Sequence, residues 1–196
     1  TTADEVRAVT LDAVMTNFDD WRPSCSIQML HIRSEMLRAI RAFFHQRGYL
    51  EVETPSLSRD IVLDAGLEPF FIDVQGKGFY LQASPEAHMK RLLAAGSGSI
   101  FQVSRVFRQN ERGERHNSEF TMLEWYGVGS TWLEQLDITE SLVRTATAAA
   151  ANITNLDVAE QWCGDAFRRT TYAAAFQRTF EIDVLDASGR ELIETA

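Results

Sequence analysis

Residues 101–126 read FQVSRVFRQNERGERHNSEFTMLEWY. Two apolar, β-rich runs, Phe101 to Arg108 and Glu119 to Tyr126, flank a polar segment that contains a glycine, which is the pattern of a long antiparallel hairpin. Side chains alternate across a strand. Phe120, Met122, Glu124 and Tyr126 therefore share one face, and Glu119, Thr121, Leu123 and Trp125 the other. On the first strand Gln102, Ser104, Val106 and Arg108 fall together. The connection adds Arg112, Arg115 and His116, so cationic groups gather at one strand end. Guanidinium groups bind phosphate oxygens through paired hydrogen bonds. A purine fits between an aromatic ring and an arginine, and a carboxylate on the same face can hold an ammonium. The set points to a nucleoside triphosphate beside an amino compound. A solvated hairpin with a charged loop is the simpler reading of the same spacing, and such hairpins are far commoner.

Working backwards, FFIDV at 70–74 and FYLQA at 79–83 flank QGKG, a second hairpin with a glycine-bearing turn. SPEAHMKRLLAAG follows. Ser84 is placed to cap a helix, Pro85 to occupy its first position, Glu86 to sit in its first turn and Gly96 to end it. Glu86 has two readings, a carboxylate favoured at a helix N-terminus or a substrate ligand. His88 reads as a packing or surface residue, and Lys90 and Arg91 as solvated. Further upstream, Ser26 to Arg47 is an amphipathic helix, with Leu30, Leu37 and Phe44 seven residues apart beside Ile40 and Phe43. Gly48 closes it. YLEVETP at 49–55 is extended and is halted by Pro55, which keeps Thr54 out of helix. Residues 56–69 form an irregular connection, and Asp4 to Phe18 is a possible short helix.

Working forwards, Thr131 to Ala151 reads as a helix. It opens with the capping box Thr131–Glu134 and has an apolar face from Leu133, Leu136, Leu142 and Val143. A looser stretch, 152–169, holds Trp162 and Cys163. A short helix at about 171–180 and the start of another near Arg190 complete the chain.

The chain has 196 residues, the size of one domain with a sizeable core. Its 45% hydrophobic and 24% charged residues are those of a folded protein. A net charge of −9 argues against a broad nucleic-acid surface but leaves room for a local basic pocket. Cys25 and Cys163 are too few for a disulfide framework or a zinc site and read as free thiols. No apolar run is long enough to span a membrane and no signal-peptide pattern opens the chain, so a cytoplasmic protein is expected.

FRQNERGERHNSEFTMLEWY resembles motif 2 of the class II aminoacyl-tRNA synthetases, in the lysyl-tRNA synthetase branch. Within that branch it is most similar to the ligases that modify elongation factor P with (R)-β-lysine. The similarity runs from about Trp21 to the last residue. It implies an α+β fold, an antiparallel β-sheet flanked by helices. The helix and strand at about 31–55 resemble motif 1, which forms the dimer interface in that family; read from its residues alone, the same helix is core packing. Motif 3, a glycine-rich strand and helix with an ATP-binding arginine, has no counterpart here, and the family's second substrate carboxylate is missing too. Residues 26–196 are therefore expected to be a partial catalytic domain, incomplete at the C-terminus and inactive alone, behind an extension at 1–25.

The chemistry that the resemblance implies is adenylate formation with ATP and Mg²⁺. Arg108 would be the catalytic residue, holding the α-phosphate. Arg115 and His116 would face the outer phosphates, Asn117 the adenine edge, and Phe120 would stack on the ring. Ser84, Pro85, Glu86, Glu124 and Tyr126 would read the amines of a lysine-like substrate. One position departs from the pattern. The tRNA synthetases carry Arg-x-Glu here, whereas this chain has Arg108, Gln109 and Asn110, with Glu111 one place later. That leaves open which side chain meets the adenine amino group; Gln109 and Asn110 can serve through their backbone. Only about 25 residues precede the first core helix, too few for an anticodon-binding barrel. The expected acceptor is therefore elongation factor P rather than tRNA, with a homodimer formed through motif 1. A trimmed lysyl-tRNA synthetase core and an inactive paralogue that binds nucleotide or dimerises are the alternatives.

Overall fold

The computed structural model describes residues 22–62, 64–154 and 164–195. The expected helix at Asp4 to Phe18, the start of the family resemblance at Trp21, and Trp162 and Cys163 lie outside the described residues.

The centre is a three-stranded sheet of order β1-β5-β6. Strands β5 (Ile100–Phe107) and β6 (Glu119–Tyr126) form the hairpin read from the sequence, paired antiparallel from Ile100↔Tyr126 to Phe107↔Glu119. The Arg108 amide donates to the Ser118 carbonyl at 2.9 Å, so the ladder runs one residue past β5. The extended run at 49–55 contributes only β1 (Leu50–Glu51) to the sheet, and it lies parallel to β5. Parallel pairing needs a crossover, and residues 52–99 supply it.

Alternation splits the sheet into two faces. One face meets helix α1 (Ile27–His45) and helix α3 (Trp132–Thr154). Phe43, Phe44, Tyr49, Phe101 and Leu142 form the buried cluster there, with Val103, Leu123 and Trp125 against it. Phe44 is fully buried, 4.8 Å from the Phe101 ring in a stacked pair and 5.5 Å from the Trp125 ring. The Arg41 guanidinium donates to the Glu51 carboxylate at 2.8 Å and ties α1 to β1. The heptad stripe of α1 is buried only towards its C-terminal end. Phe44 is at the core whereas Leu30 is 47% exposed and lines an open cavity between α1 and the sheet with Val103, Thr121 and Leu123.

The caps follow local chemistry. The Ser26 hydroxyl accepts from the Met29 amide at 3.2 Å, so α1 starts one residue after the predicted Ser26. Its C-cap is Gln46, and Gly48, at φ 76°, turns the chain two residues beyond. In α3 the capping box is formed. The Glu134 amide donates to Thr131 Oγ1 at 3.3 Å and the Thr131 amide to Glu134 Oε2 at 2.6 Å. Two short helices, Tyr172–Phe180 and Gly189–Thr195, close the described chain, the first capped by Thr171.

A second sheet has the order β2-β4-β3, from β2 (Leu57–Ser58), β3 (Phe71–Val74) and β4 (Lys77–Leu81). Its hairpin turn is tighter than the QGKG of the sequence reading. Only Gln75 and Gly76 turn, at φ 55° and 77°, while Lys77 and Gly78 already pair with Val74 and Asp73. Two positive φ values match the strand twist. Gly78 is needed for another reason: a Cβ there would lie 2.7 Å from the Phe71 ring. The two sheets meet where the Phe107 amide donates to the Gln82 carbonyl at 2.9 Å.

Helix α2 (Glu86–Ala94) starts one residue later than the sequence implied. Pro85 is the N-cap, and Ser84, one residue further out, accepts from the Glu86 amide at 3.1 Å while donating its hydroxyl to Glu124.

Phe44→Ala is expected to lower the unfolding free energy by about 3–5 kcal/mol, the usual cost of removing a buried aromatic ring. Chemical denaturation checks this, and a loss below about 1 kcal/mol would place the core elsewhere.

Candidate functional site

The face of β5 and β6 turned away from α1 and α3 carries the polar residues. At the loop end of the hairpin, the Arg108 guanidinium lies 5.1 Å from the centre of the Phe120 ring. Its Nη1 pairs with Glu111 Oε1 at 3.1 Å and its Nε donates to the Ala83 carbonyl at 3.3 Å. Arginine has five N–H donors, so this fork is oriented without being used up. Arg108 is half-buried, which strengthens its charge for an anion.

Further along the same face, Glu124 accepts two hydrogen bonds. The Ser84 hydroxyl donates to its Oε2 at 2.7 Å and the Tyr126 hydroxyl to its Oε1 at 2.6 Å. Ser84 also accepts from the Glu86 amide at 3.1 Å. Ser84 therefore serves the start of α2 and orients Glu124 at once. Burial, the Glu124 hydrogen bond and the charges of Glu124 and Glu86 together push the Tyr126 phenol well above its ordinary pKa. Tyr126 thus stays a donor, and Glu124 and Glu86 present negative charge to a cation.

The two clusters are continuous. Ala83 holds Arg108 and Ser84 holds Glu124, so two adjacent residues bridge the guanidinium end and the carboxylate end. Arg108, Phe120, Ser84, Glu86, Glu124 and Tyr126 are brought to one surface, as the sequence pattern implied. Pro85 is fully buried beneath it and contributes shape. Arg115, His116 and Asn117 stay on the exposed hairpin connection, where a single bridge, Gly113 to His116, orders the loop. Among the described residues, none of the three is hydrogen-bonded or ion-paired to Arg108 or Phe120. Gln109 and Asn110 are exposed as well.

Three findings lay outside the sequence reading. Lys90, read as solvated, forms an ion pair with Glu86, and Arg91 pairs with Asp60 at 2.9 Å. Glu86 also lines an open cavity of about 660 Å³ with Tyr80, Lys90 and Arg91, which Arg108, Phe120, Glu124 and Tyr126 do not line. Finally, Glu68, from the irregular connection, meets the hairpin. Its carbonyl accepts from the Gln109 amide at 2.8 Å, and its carboxylate accepts from the Asn110 side chain. No periodicity marks a lone glutamate in a loop, so nothing in the sequence pointed to it.

A match to the tRNA synthetases of class II (D, K and N) spans residues 14–192. The chain belongs to that family. Its curated relatives include the elongation factor P--(R)-beta-lysine ligase of Vibrio cholerae, 41% identical over 188 residues, which cover 93% of this chain and 53% of that protein. The ligases of the same name from Yersinia enterocolitica and Haemophilus influenzae are each 42% identical over 188 residues, covering 93% of this chain and 53% and 54% of theirs. The chain spans about half the length of these relatives.

The Tyr126 phenol is expected to remain protonated where an ordinary tyrosine, with a pKa of about 10, is half ionised. Ultraviolet titration of the native protein against Tyr126→Phe checks this. A difference signal that rises at the ordinary value would show that Tyr126 does not hold Glu124.

Proposed function

We propose that this chain is part of an ATP-dependent ligase. It activates (R)-β-lysine, or lysine, as an acyl-adenylate and passes the acyl group to a lysine side chain of elongation factor P. The observation that carries this reading is the single polar face on which Arg108 and Phe120 continue, through Ala83 and Ser84, into Glu124 and Tyr126. It pairs an anion-and-ring site at the loop end of the hairpin with an ammonium site towards its other end, on one face. The names of the relatives support the amino acid and the acceptor. Charging of tRNA is not favoured by those names.

In the first step a substrate carboxylate oxygen attacks the α-phosphorus, the bond to the bridging oxygen breaks and pyrophosphate leaves. Catalysis of this type is mainly positioning and charge stabilisation. Arg108 holds the α-phosphate, exchanging its Glu111 contact for phosphate oxygens. Phe120 carries the adenine ring, with Gln109, Asn110, Glu111 and Asn117 around its edge. Arg115 and His116, on the exposed connection, swing onto the outer phosphates. Ser84, Pro85 and Glu86 with Glu124 and Tyr126 form the pocket for the substrate amines, and the incoming ammonium competes with Lys90 for Glu86. In the second step the acceptor amine attacks the acyl carbon, the bond to AMP breaks, an amide forms and the amine gives up a proton.

Mg²⁺, when bound, neutralises phosphate charge. Among the described residues no group of three or more His, Cys, Asp or Glu is placed to hold a metal. Phosphate oxygens are its proposed ligands. Dimerisation through α1 and β1 belongs to the same proposal, supported by the exposure of Ile27, Met29 and Leu30 on α1. None of the described helices is long and apolar enough to cross a membrane. The reading entails a cytoplasmic protein, where ATP and a translation factor meet.

The test is ATP–pyrophosphate exchange in the full-length polypeptide with (R)-β-lysine and with lysine, followed by mass analysis of elongation factor P. Exchange with neither amino acid would overturn the reading. Arg108→Ala is expected to abolish exchange, and normal exchange would remove Arg108 from its role. Phe120→Ala is expected to weaken ATP binding by about 1–3 kcal/mol, the scale of base–aromatic stacking. Unchanged affinity by calorimetry would show that the ring does not carry the base.

A further inference from the structure

Glu68 is joined to the nucleotide end of the hairpin by two contacts of different kinds. Its backbone carbonyl accepts from the Gln109 amide at 2.8 Å, which fixes where the chain passes. Its carboxylate Oε2 accepts from the Asn110 side-chain amide, which fixes where the charge sits. The other oxygen, Oε1, makes no hydrogen bond or ion pair to any described residue, and Glu68 is exposed. Asn110 is two residues from Arg108, whose guanidinium lies over the Phe120 ring and pairs with Glu111. A carboxylate with one oxygen free is therefore held beside Gln109 and Asn110, the two residues that follow Arg108, by a segment 42 residues from Asn110 in the chain.

From this geometry we infer that Glu68 selects the base: its free oxygen accepts a hydrogen bond from the exocyclic amino group of a 6-aminopurine held against Phe120. An ionised carboxylate is acceptor-only. It rewards an N–H at the purine 6-position and is repelled by a carbonyl oxygen there. Asn110, a donor through its amide, holds the carboxylate in place rather than reading the base through its own side chain. The place one residue beyond Asn110 carries Glu111, but that carboxylate is turned onto Arg108.

The inference rests on the reading of Phe120 and Arg108 as a nucleotide site, so the experiment separates the two. Calorimetry on the full-length polypeptide would compare ATP with ITP, which differs at the 6-position by a carbonyl in place of the amine. The native protein should prefer ATP by about ten- to a hundredfold, the scale of a hydrogen bond to a charged group. Glu68→Gln keeps an acceptor for Asn110, but its amide can turn a donor to the ITP carbonyl. The preference should fall to within about threefold. Glu68→Asp should keep the discrimination in part, and Asn110→Ala should loosen it by freeing the carboxylate. A purely structural tether would alter both nucleotides alike and leave their ratio unchanged. An unchanged ATP-to-ITP ratio in Glu68→Gln overturns the role of Glu68 while the nucleotide site stands. Binding of neither nucleotide by the native protein overturns both.

Discussion

The register of β5 against β6 is the constraint on which the rest depends. Eight pairs, from Ile100↔Tyr126 to Phe107↔Glu119, fix which side chains look at the helices and which look away. A slip of one residue would exchange the faces completely. Trp125 and Leu123 would leave the Phe44 cluster, and Glu124 and Tyr126 would be driven into it. The core holds the register because Phe44, stacked on Phe101 and beside Trp125, accepts rings from alternate positions only. The apolar face therefore stabilises the arrangement that the polar face uses.

The polar face is completed by segments that are not part of the hairpin. Gln82 belongs to the end of the second sheet, yet its carbonyl takes the Phe107 amide and its side-chain amide donates to the Arg105 carbonyl at 2.7 Å. This seam delivers Ala83 and Ser84 to the two ends of the site. The late start of α2 belongs to the same arrangement. Ser84 donates its hydroxyl to Glu124 and accepts from the Glu86 amide at the start of α2, with a buried Pro85 as the N-cap. Both oxygens of Glu124 are thereby satisfied.

Charge is handled in the same pairwise way. Each candidate ligand has an internal partner: Arg108 has Glu111, Glu86 has Lys90, and Glu124 has two hydroxyls. A chain with net charge −9 can thereby keep a local cationic end without a broad basic surface. Exposed pairs of this kind are worth little to stability. They leave the groups oriented and ready to exchange partners with a phosphate or an ammonium.

The amino-acid sequence by itself determined the hairpin, its two faces, the capping box of α3, the helix ends near His45 and Phe180, and the family resemblance carried by motif 2. Those features are legible because they depend on residues two to four apart, whose periodicity and capping chemistry are local. It also brought Arg108, Phe120, Glu124 and Tyr126 to a common face, since alternation along paired strands is a local rule too. Only the tertiary structure decided the parallel pairing of β1, the bond from Ser84 to Glu124 and the arrival of Glu68 at Asn110. Each of these is a contact between segments remote in sequence, set by where the second sheet meets the end of β5. No local propensity records where a distant backbone carbonyl or carboxylate will come to rest.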